Sequence, residues 1–171
     1  MKLPACITPD AIFDRVEDID LALLRAWDIR GLVLDLDNTI VPWHTSDLRP
    51  SISAWFAGLV QGGVRGCLLT NNYGKQASVV ARALGTPIVL GALKPVPFGY
   101  RRSLEHLQIE ARHALGVGDQ LYTDVLGAKL AGMRAALVQP IGRREFPTTR
   151  LMRVFERPVL EHLRRGGMPG A

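Results

Sequence analysis

One stretch constrains this chain more than any other: Leu32-Val33-Leu34-Asp35-Leu36-Asp37-Asn38-Thr39-Ile40. Gly31 to Leu34 is apolar with no polar alternation, so it reads as a strand buried on both faces, the kind found inside parallel sheets. It runs straight into two carboxylates one residue apart, followed by an amide and a hydroxyl. Two acids at the end of a buried strand are costly unless something pairs with them. A plain turn is the alternative, since Asp and Asn are favoured turn residues. The rest of the chain decides between them.

Apolar strand-like runs alternate with helical spacing along its length. Thr8-Pro9-Asp10 has the form of a helix start, with Ile12, Phe13, Val16 and Ile19 following at helix-like intervals. Asp20 to Trp27 reads as a second short helix, and residues 1–30 together as a helical arm over one sheet edge. Val41-Pro42-Trp43-His44 is a loop broken by proline. Ser51 caps a helix to about Val60, ended by Gly62-Gly63; Arg65 to Leu69 is a strand; Gly74 to Leu84 is helical. Pro87 to Leu90 is a short strand, Pro97 to Leu107 a helix, Ala114 to Val117 a strand, Asp124 to Met133 a helix and Arg134 to Val138 a last strand. Such alternation over short loops gives an α/β fold, a Rossmann-like three-layer α/β/α sandwich around a mainly parallel sheet.

With 171 residues this is one domain, 1–171. A hydrophobic fraction of 47% and a charged fraction of 22% exclude a disordered chain. No apolar run approaches the ~18–20 residues that span a bilayer. The start, Met1-Lys2-Leu3-Pro4, lacks the apolar stretch of a secretory signal. Cys6 and Cys67 make no disulfide framework, which fits a reduced, cytoplasmic setting. Net charge is +5, of which residues 141–171 carry +4 from seven Arg against three Glu. This basic C-terminal tail suits anionic membranes, nucleic acid or acidic partners, and equally a solvated helix face with interleaved Glu.

Four strand ends carry polar groups: Asp35 with Asp37, Thr70 with Asn71, Lys94, and Asp119 with Asp124. Phosphoryl transfer accounts for each type. A carboxylate nucleophile splits hydrolysis into two steps through an aspartyl phosphate, and a second carboxylate moves the protons. Mg²⁺ and a lysine offset the repulsion between phosphate and carboxylates, and a hydroxyl with backbone amides holds the remaining oxygens. Each group has a plainer reading too. Thr70-Asn71-Asn72 fits a turn with a helix cap, Lys94 a surface lysine, Gly118-Asp119-Gln120 a strand-to-helix turn, and Asp124 a cap. Their shared position at the strand ends of one sheet favours a common site.

Asp35-Leu36-Asp37-Asn38-Thr39, Thr70-Asn71-Asn72, Lys94-Pro95 and Gly118-Asp119-Gln120-Leu121-Tyr122-Thr123-Asp124 resemble the four motifs of the haloacid dehalogenase (HAD) superfamily. More narrowly, the chain is similar to its subclass IIIA phosphatases of the YqeG-like branch, which includes mitochondrial phosphatidylglycerophosphate phosphatases. The resemblance implies Asp35 as nucleophile and Mg²⁺ ligand. Asp37 would be general acid/base, binding the metal through its carbonyl. Thr70, Asn71 and Lys94 would hold the phosphoryl group, with Lys94 also screening Asp35. Asp119 would complete the metal site, and Asp124 would orient its loop or bind the metal through water. His44 stands where a more acidic residue would suit the family, and reads as a substrate contact or a solvated loop residue.

Members of this superfamily insert a cap domain after the first motif or between the second and third. About thirty residues separate Thr39 from Thr70, and one helix and one strand fill the next interval, so no cap fits. An uncapped site excludes water poorly, which favours a macromolecular or lipid-borne phosphate, and phosphatidylglycerophosphate is the candidate the likeness implies. Arg157, Pro158, Val159, Leu160, Leu163, Arg164 and Arg165 would then form an interfacial helix, peripheral at the inner face of a membrane. Two other classes compete: a phosphoacceptor module, which Asp37 disfavours, and a nucleic-acid-binding module, which the few aromatics among the tail arginines disfavour.

Overall fold

The computed structural model describes residues 4–142; the basic tail lies outside it beyond Gly142. Six strands form one sheet in the order β1-β6-β5-β2-β3-β4. They are β1 (Ala11–Phe13), β2 (Gly31–Asp35), β3 (Arg65–Leu69), β4 (Ile88–Val89), β5 (Ala114–Gly118) and β6 (Arg134–Val138). Every pairing is parallel. The helices are α1 (Leu21–Ala26), α2 (Pro50–Gln61), α3 (Lys75–Leu84), α4 (Pro97–Leu107) and α5 (Leu126–Leu130). Only α2 and its loops separate β2 from β3, and only α3 lies between β3 and β4, so neither interval holds a cap.

Strand alternation divides the core into two layers. Leu32, Leu34, Leu68, Leu115 and Val117 face one way, packing against Leu24 of α1, Ile52, Phe56 and Leu59 of α2, and Val80 of α3. Val33, Cys67, Leu69, Ala135 and Leu137 face the other way, against Tyr100 and Leu107 of α4 and Ala128 of α5. Leu32, Leu34, Leu68 and Leu115 are fully buried, each contributing about 1.5–3 kcal/mol by leaving water. The three-layer sandwich is the one the alternation of elements predicts.

The arm departs from expectation. The helix predicted through Ile12 and Ile19 is instead β1, a three-residue strand that extends the sheet beside β6, followed by a 3₁₀ turn at Val16–Asp18. The Thr8 hydroxyl donates to the Pro4 carbonyl rather than capping a helix. Asp10 explains why the strand wins. Its amide donates to the Ala135 carbonyl at 2.7 Å, and its Oδ2 accepts from the Ala135 amide at 2.7 Å and the Lys129 Nζ at 2.6 Å. These bonds satisfy an edge that a helix would leave open. α1 forms as read, with Asp20 Oδ1 accepting from the Leu23 amide at 2.8 Å.

Boundaries also shift, and the strand expected over Pro87 to Leu90 is only Ile88–Val89. α2 starts one residue before Ser51, with Arg49 as the capping position and Pro50 at the first helical position, where its missing N–H costs nothing. The helix expected over Asp124 to Met133 begins earlier, as a wide π turn at Leu121–Val125, and α5 ends at Leu130. In that turn the Val125 amide reaches back to the Gln120 carbonyl at 3.2 Å. Among the described residues no helix is long and apolar enough to cross a membrane.

Candidate active site

The chain runs outward from β2 to β3 and β4, then returns to the other side of β2 for β5 and β6. That reversal opens a crevice at the carboxyl ends of β2 and β5, the usual ligand position in an open α/β sheet. Asp35 ends β2; Asp119 follows β5 directly; Asp124 sits in the π turn. All three carboxylates are buried, and each offers an oxygen within 4.8 Å of the others.

Lys94, on the loop after β4, reaches into this group. Its Nζ bonds Asp35 Oδ1 and lies 2.6 Å from Asp124 Oδ1, with both Lys94 and Asp124 side chains 4% exposed. Burial works against the Lys94 charge, but the Asp124 and Asp35 carboxylates outweigh it and hold the ammonium well above the ordinary lysine range. Burial likewise pushes Asp35 well above the usual carboxylate range, opposed by Lys94 and reinforced by Asp124 and Asp119. One ammonium shared by two carboxylates leaves Asp35 short of partners: its Oδ2 is buried with no hydrogen-bond donor among the described residues. The buried group of three carboxylates, an oxygen-rich set, fits a hard divalent cation such as Mg²⁺.

Asp37 sits apart from that cluster, half-buried and facing the crevice's other wall. Its Oδ2 accepts from Thr70 Oγ1 at 3.0 Å and Asn72 Nδ2 at 2.7 Å, while Oδ1 accepts from the His44 amide at 3.5 Å. The loop between them turns at Asn38, whose φ of 62° is tolerated because asparagine visits the left-handed region readily. Asn38 N then bonds the Val41 carbonyl at 2.7 Å.

The residues read from the sequence thus converge, with differences in what each side chain touches. Thr70 contacts Asp37 and accepts from the Asn72 amide at 3.1 Å. Asn71 is engaged with the Lys94 backbone, its Oδ1 accepting from the Lys94 amide at 2.7 Å and its Nδ2 reaching the Lys94 carbonyl at 3.5 Å. It holds the lysine loop in place. Asp124 joins the carboxylate group itself and also caps its loop, Oδ2 accepting from the Gln120 amide at 3.0 Å. His44 is exposed, its ring edge-on to Trp43 with centroids 4.3 Å apart. Two contributors went unread. Asn72 closes the Thr70-Asn71-Asn72 motif with no role of its own in the sequence, and its bond to Asp37 follows from no local spacing. Tyr100, buried on α4, donates to the Thr123 and Asp124 carbonyls at 3.1 and 3.2 Å and so braces the π turn.

Comparison with known proteins agrees with this geometry. Residues 92–143 match a family model described as HAD-hydrolase-like. The chain is 30% identical over 159 residues to "Probable phosphatase YqeG" of Bacillus subtilis (strain 168), spanning 93% of this chain and 92% of that protein. It is 29% identical over 150 residues to "Phosphatidylglycerophosphate phosphatase 1, chloroplastic" of Chlamydomonas reinhardtii, covering 82% of this chain and 54% of that one. Among solved structures, the cobalt-bound deoxy-D-mannose-octulosonate 8-phosphate phosphatase of Haemophilus influenzae shares the fold, with a TM-score of 0.54, 13% identity, and 65% and 68% of the two chains covered. With a relative this similar over nearly its whole length, the chain belongs to the YqeG-like phosphatases of the HAD superfamily.

Proposed function

We propose that this phosphatase hydrolyses a phosphomonoester through an aspartyl phosphate on Asp35, in a Mg²⁺-dependent reaction, with phosphatidylglycerophosphate as the candidate substrate. The observation that carries the reading is the partnerless Asp35 Oδ2, buried at the end of β2 beside Lys94. A carboxylate oxygen kept from water and from protein donors is an available nucleophile. It attacks phosphorus, the ester P–O bond breaks, and Asp37 delivers a proton to the departing alkoxide. Asp37 Oδ1 is the atom suited to carry that proton, because Thr70 and Asn72 already occupy Oδ2. Water then attacks the phosphoryl group, Asp37 takes its proton, and the Asp35–phosphorus bond breaks to release phosphate.

Asp35, Asp119 and Asp124 would hold the Mg²⁺, with the Asp37 carbonyl as a further ligand. Bound there, the ion supplies positive charge against the phosphoryl oxygens. Lys94 adds to that charge and, held between two carboxylates, keeps Asp35 oriented. Thr70 would bind a phosphoryl oxygen by turning its hydroxyl proton from Asp37 Oδ2 to the substrate.

Two observations support a lipid-borne ester. No cap lies over the site in either interval where one would be inserted. The Chlamydomonas relative is named for the same substrate. The test is phosphate release from phosphatidylglycerophosphate in mixed micelles with Mg²⁺, beside a panel of soluble phosphomonoesters. Asp35-dependent preference for the lipid is the expected result, with Asp35→Asn at least about 10³-fold slower. Turnover of soluble esters alone would discard the lipid, and no Asp35-dependent release from any ester would discard the mechanism.

A further inference from the structure

From Leu48 to Leu104 the chain contains no Asp or Glu, against seven Lys and Arg. That stretch builds α2, β3, α3, β4 and α4 up to Leu104, so the β3–β4 end of the sheet carries a single acid, Glu105, in these elements. Lys94 is buried in the site; Lys75 opens α3, and Arg101 and Arg102 lie early in α4, all three exposed. Helices that follow parallel strands start at the carboxyl edge, so these cations flank the crevice rather than the far side of the molecule.

The same rim exposes large apolar side chains. Tyr73 is 75% exposed, Leu93 63%, Val96 52% and Phe98 56%. Phe98 stands on the first turn of α4 and the other three on the loops after β3 and β4, which are tied together: the Gly91 amide donates to the Asn72 carbonyl at 3.2 Å and the Ala92 amide to the Thr70 carbonyl at 3.0 Å. The Tyr73 ring lies over Gly91, where a Cβ would fall 2.1 Å from it. Leu93 has a φ of 56°, a conformation favoured by Gly or Asn, and its side chain points away from the core. Neither the backbone nor the solvent favours leucine there. Large apolar side chains exposed together on one rim mark a contact surface.

We propose that Tyr73, Leu93, Val96 and Phe98, flanked by Lys75, Arg101 and Arg102, form a docking surface that seats the mouth of the site on an anionic lipid bilayer. The proposal rests on the phosphatase reading for the location of that mouth, and it places the membrane contact on the folded domain instead of the C-terminal tail. Aliphatic tips with arginines beside them are what an interface of acyl chains and anionic headgroups accepts. Nucleic acid is a poorer match: Leu93 and Val96 offer no ring to stack on, and the Arg102 guanidinium already lies 5.8 Å from the Phe98 ring centre. Docked this way, the bilayer would cover the crevice that lacks a cap.

The experiment is co-sedimentation of the full-length chain with phosphatidylglycerol/phosphatidylcholine vesicles and with phosphatidylcholine alone. Alongside it run a 20-nucleotide RNA, analytical ultracentrifugation and turnover of p-nitrophenyl phosphate. Wild type should bind the anionic vesicles at least tenfold more tightly than neutral ones. L93N/V96Q/F98Q should lose at least tenfold of that affinity with soluble-ester turnover unchanged. If that variant does not fold by its circular dichroism melt, R101E/R102E should show the same loss. Anionic-vesicle binding that survives the folded variant would overturn the proposal, as would RNA binding or a dimer abolished by it without any vesicle binding. Vesicle binding without turnover of any ester would keep the docking surface and remove the phosphatase reading; turnover without vesicle binding would do the reverse.

Discussion

Two lysine–aspartate contacts in this molecule have the same length and opposite meanings. Lys94 lies 2.6 Å from Asp124, and Lys129 lies 2.6 Å from Asp10. The first pair is 4% exposed on both sides; the second is 20% and 25% exposed. Asp10 Oδ2 takes both the Lys129 ammonium and the Ala135 amide, fastening β1 to β6. Lys94 is divided between Asp35 and Asp124, and Asp35 Oδ2 is left over. Among the described residues the edge pair satisfies its buried polar atoms and is a fastener. The buried group does not, and what remains unsatisfied is where a ligand can act.

The sharpest way to break this contrast is to remove each ammonium with nearly the same change of shape. Lys94→Met leaves Asp35 and Asp124 facing each other in a dry pocket, a loss of about 3–5 kcal/mol of folding stability at pH 7 by denaturant titration, together with loss of turnover. The deficit should depend on pH. Without the ammonium, burial and the Asp124 and Asp119 carboxylates all push Asp35 upward and its folded pKa lies above the unfolded value, so the folded state binds more protons. Stability is then lost as pH rises from the ordinary carboxylate range through the raised value, and regained as pH falls. The gap to wild type should therefore narrow on acidification from pH 7 towards about 5. A deficit that widens on acidification would mean that Asp35 is not held up by burial.

Gly118→Ala sharpens the comparison by leaving every charge in place. A Cβ at Gly118 would fall 2.3 Å from the Asp124 Cγ, so the carboxylate must move off Lys94, off the Gln120 amide, or off both. A displacement on the order of 1 Å in an active site costs about 10²-fold. The expected loss is of that size in kcat, with little change in KM for a soluble ester. An unchanged kcat would show that Asp124 has slack and that its contact with Lys94 does not set the geometry.

How much of each region was legible follows from the kind of signal each one uses. The motif residues Asp35, Asp37, Thr70, Lys94, Asp119 and Asp124 sit beside apolar strand runs, and periodicity alone puts those runs in one sheet with their ends together. What Asn72 and Asn71 do was not legible, because side-chain amides in turns can bond locally or across the sheet, and only the fold brings Asp37 and the Lys94 backbone within reach. The edge was misread for the same reason. Three residues are too few to display a strand period, while Ile12, Val16 and Ile19 happen to fit a helical one. The Asp10 bonds that decide the matter join residues 119 and 125 positions apart. Short elements held by distant partners are invisible to local patterns. The π turn at Leu121–Val125 escapes similarly, since its sequence differs little from that of an ordinary first helical turn.

The smallest expected effect belongs to the edge pair. Lys129→Met removes a partly exposed ammonium whose charge is already screened, and the Ala135 amide still donates to Asp10 Oδ2 at 2.7 Å. Stability should fall by no more than about 1 kcal/mol, and soluble-ester turnover should stay at the wild-type level. Asp10→Ala is the control, because it strands the Ala135 amide as well as the lysine and should cost about 1–3 kcal/mol. If Lys129→Met cost as much as Lys94→Met in the same denaturant titration, exposure would not be what separates the two pairs. A loss of turnover in Lys129→Met with stability intact would instead tie β1 to the crevice, and the edge could no longer be regarded as a fastener alone.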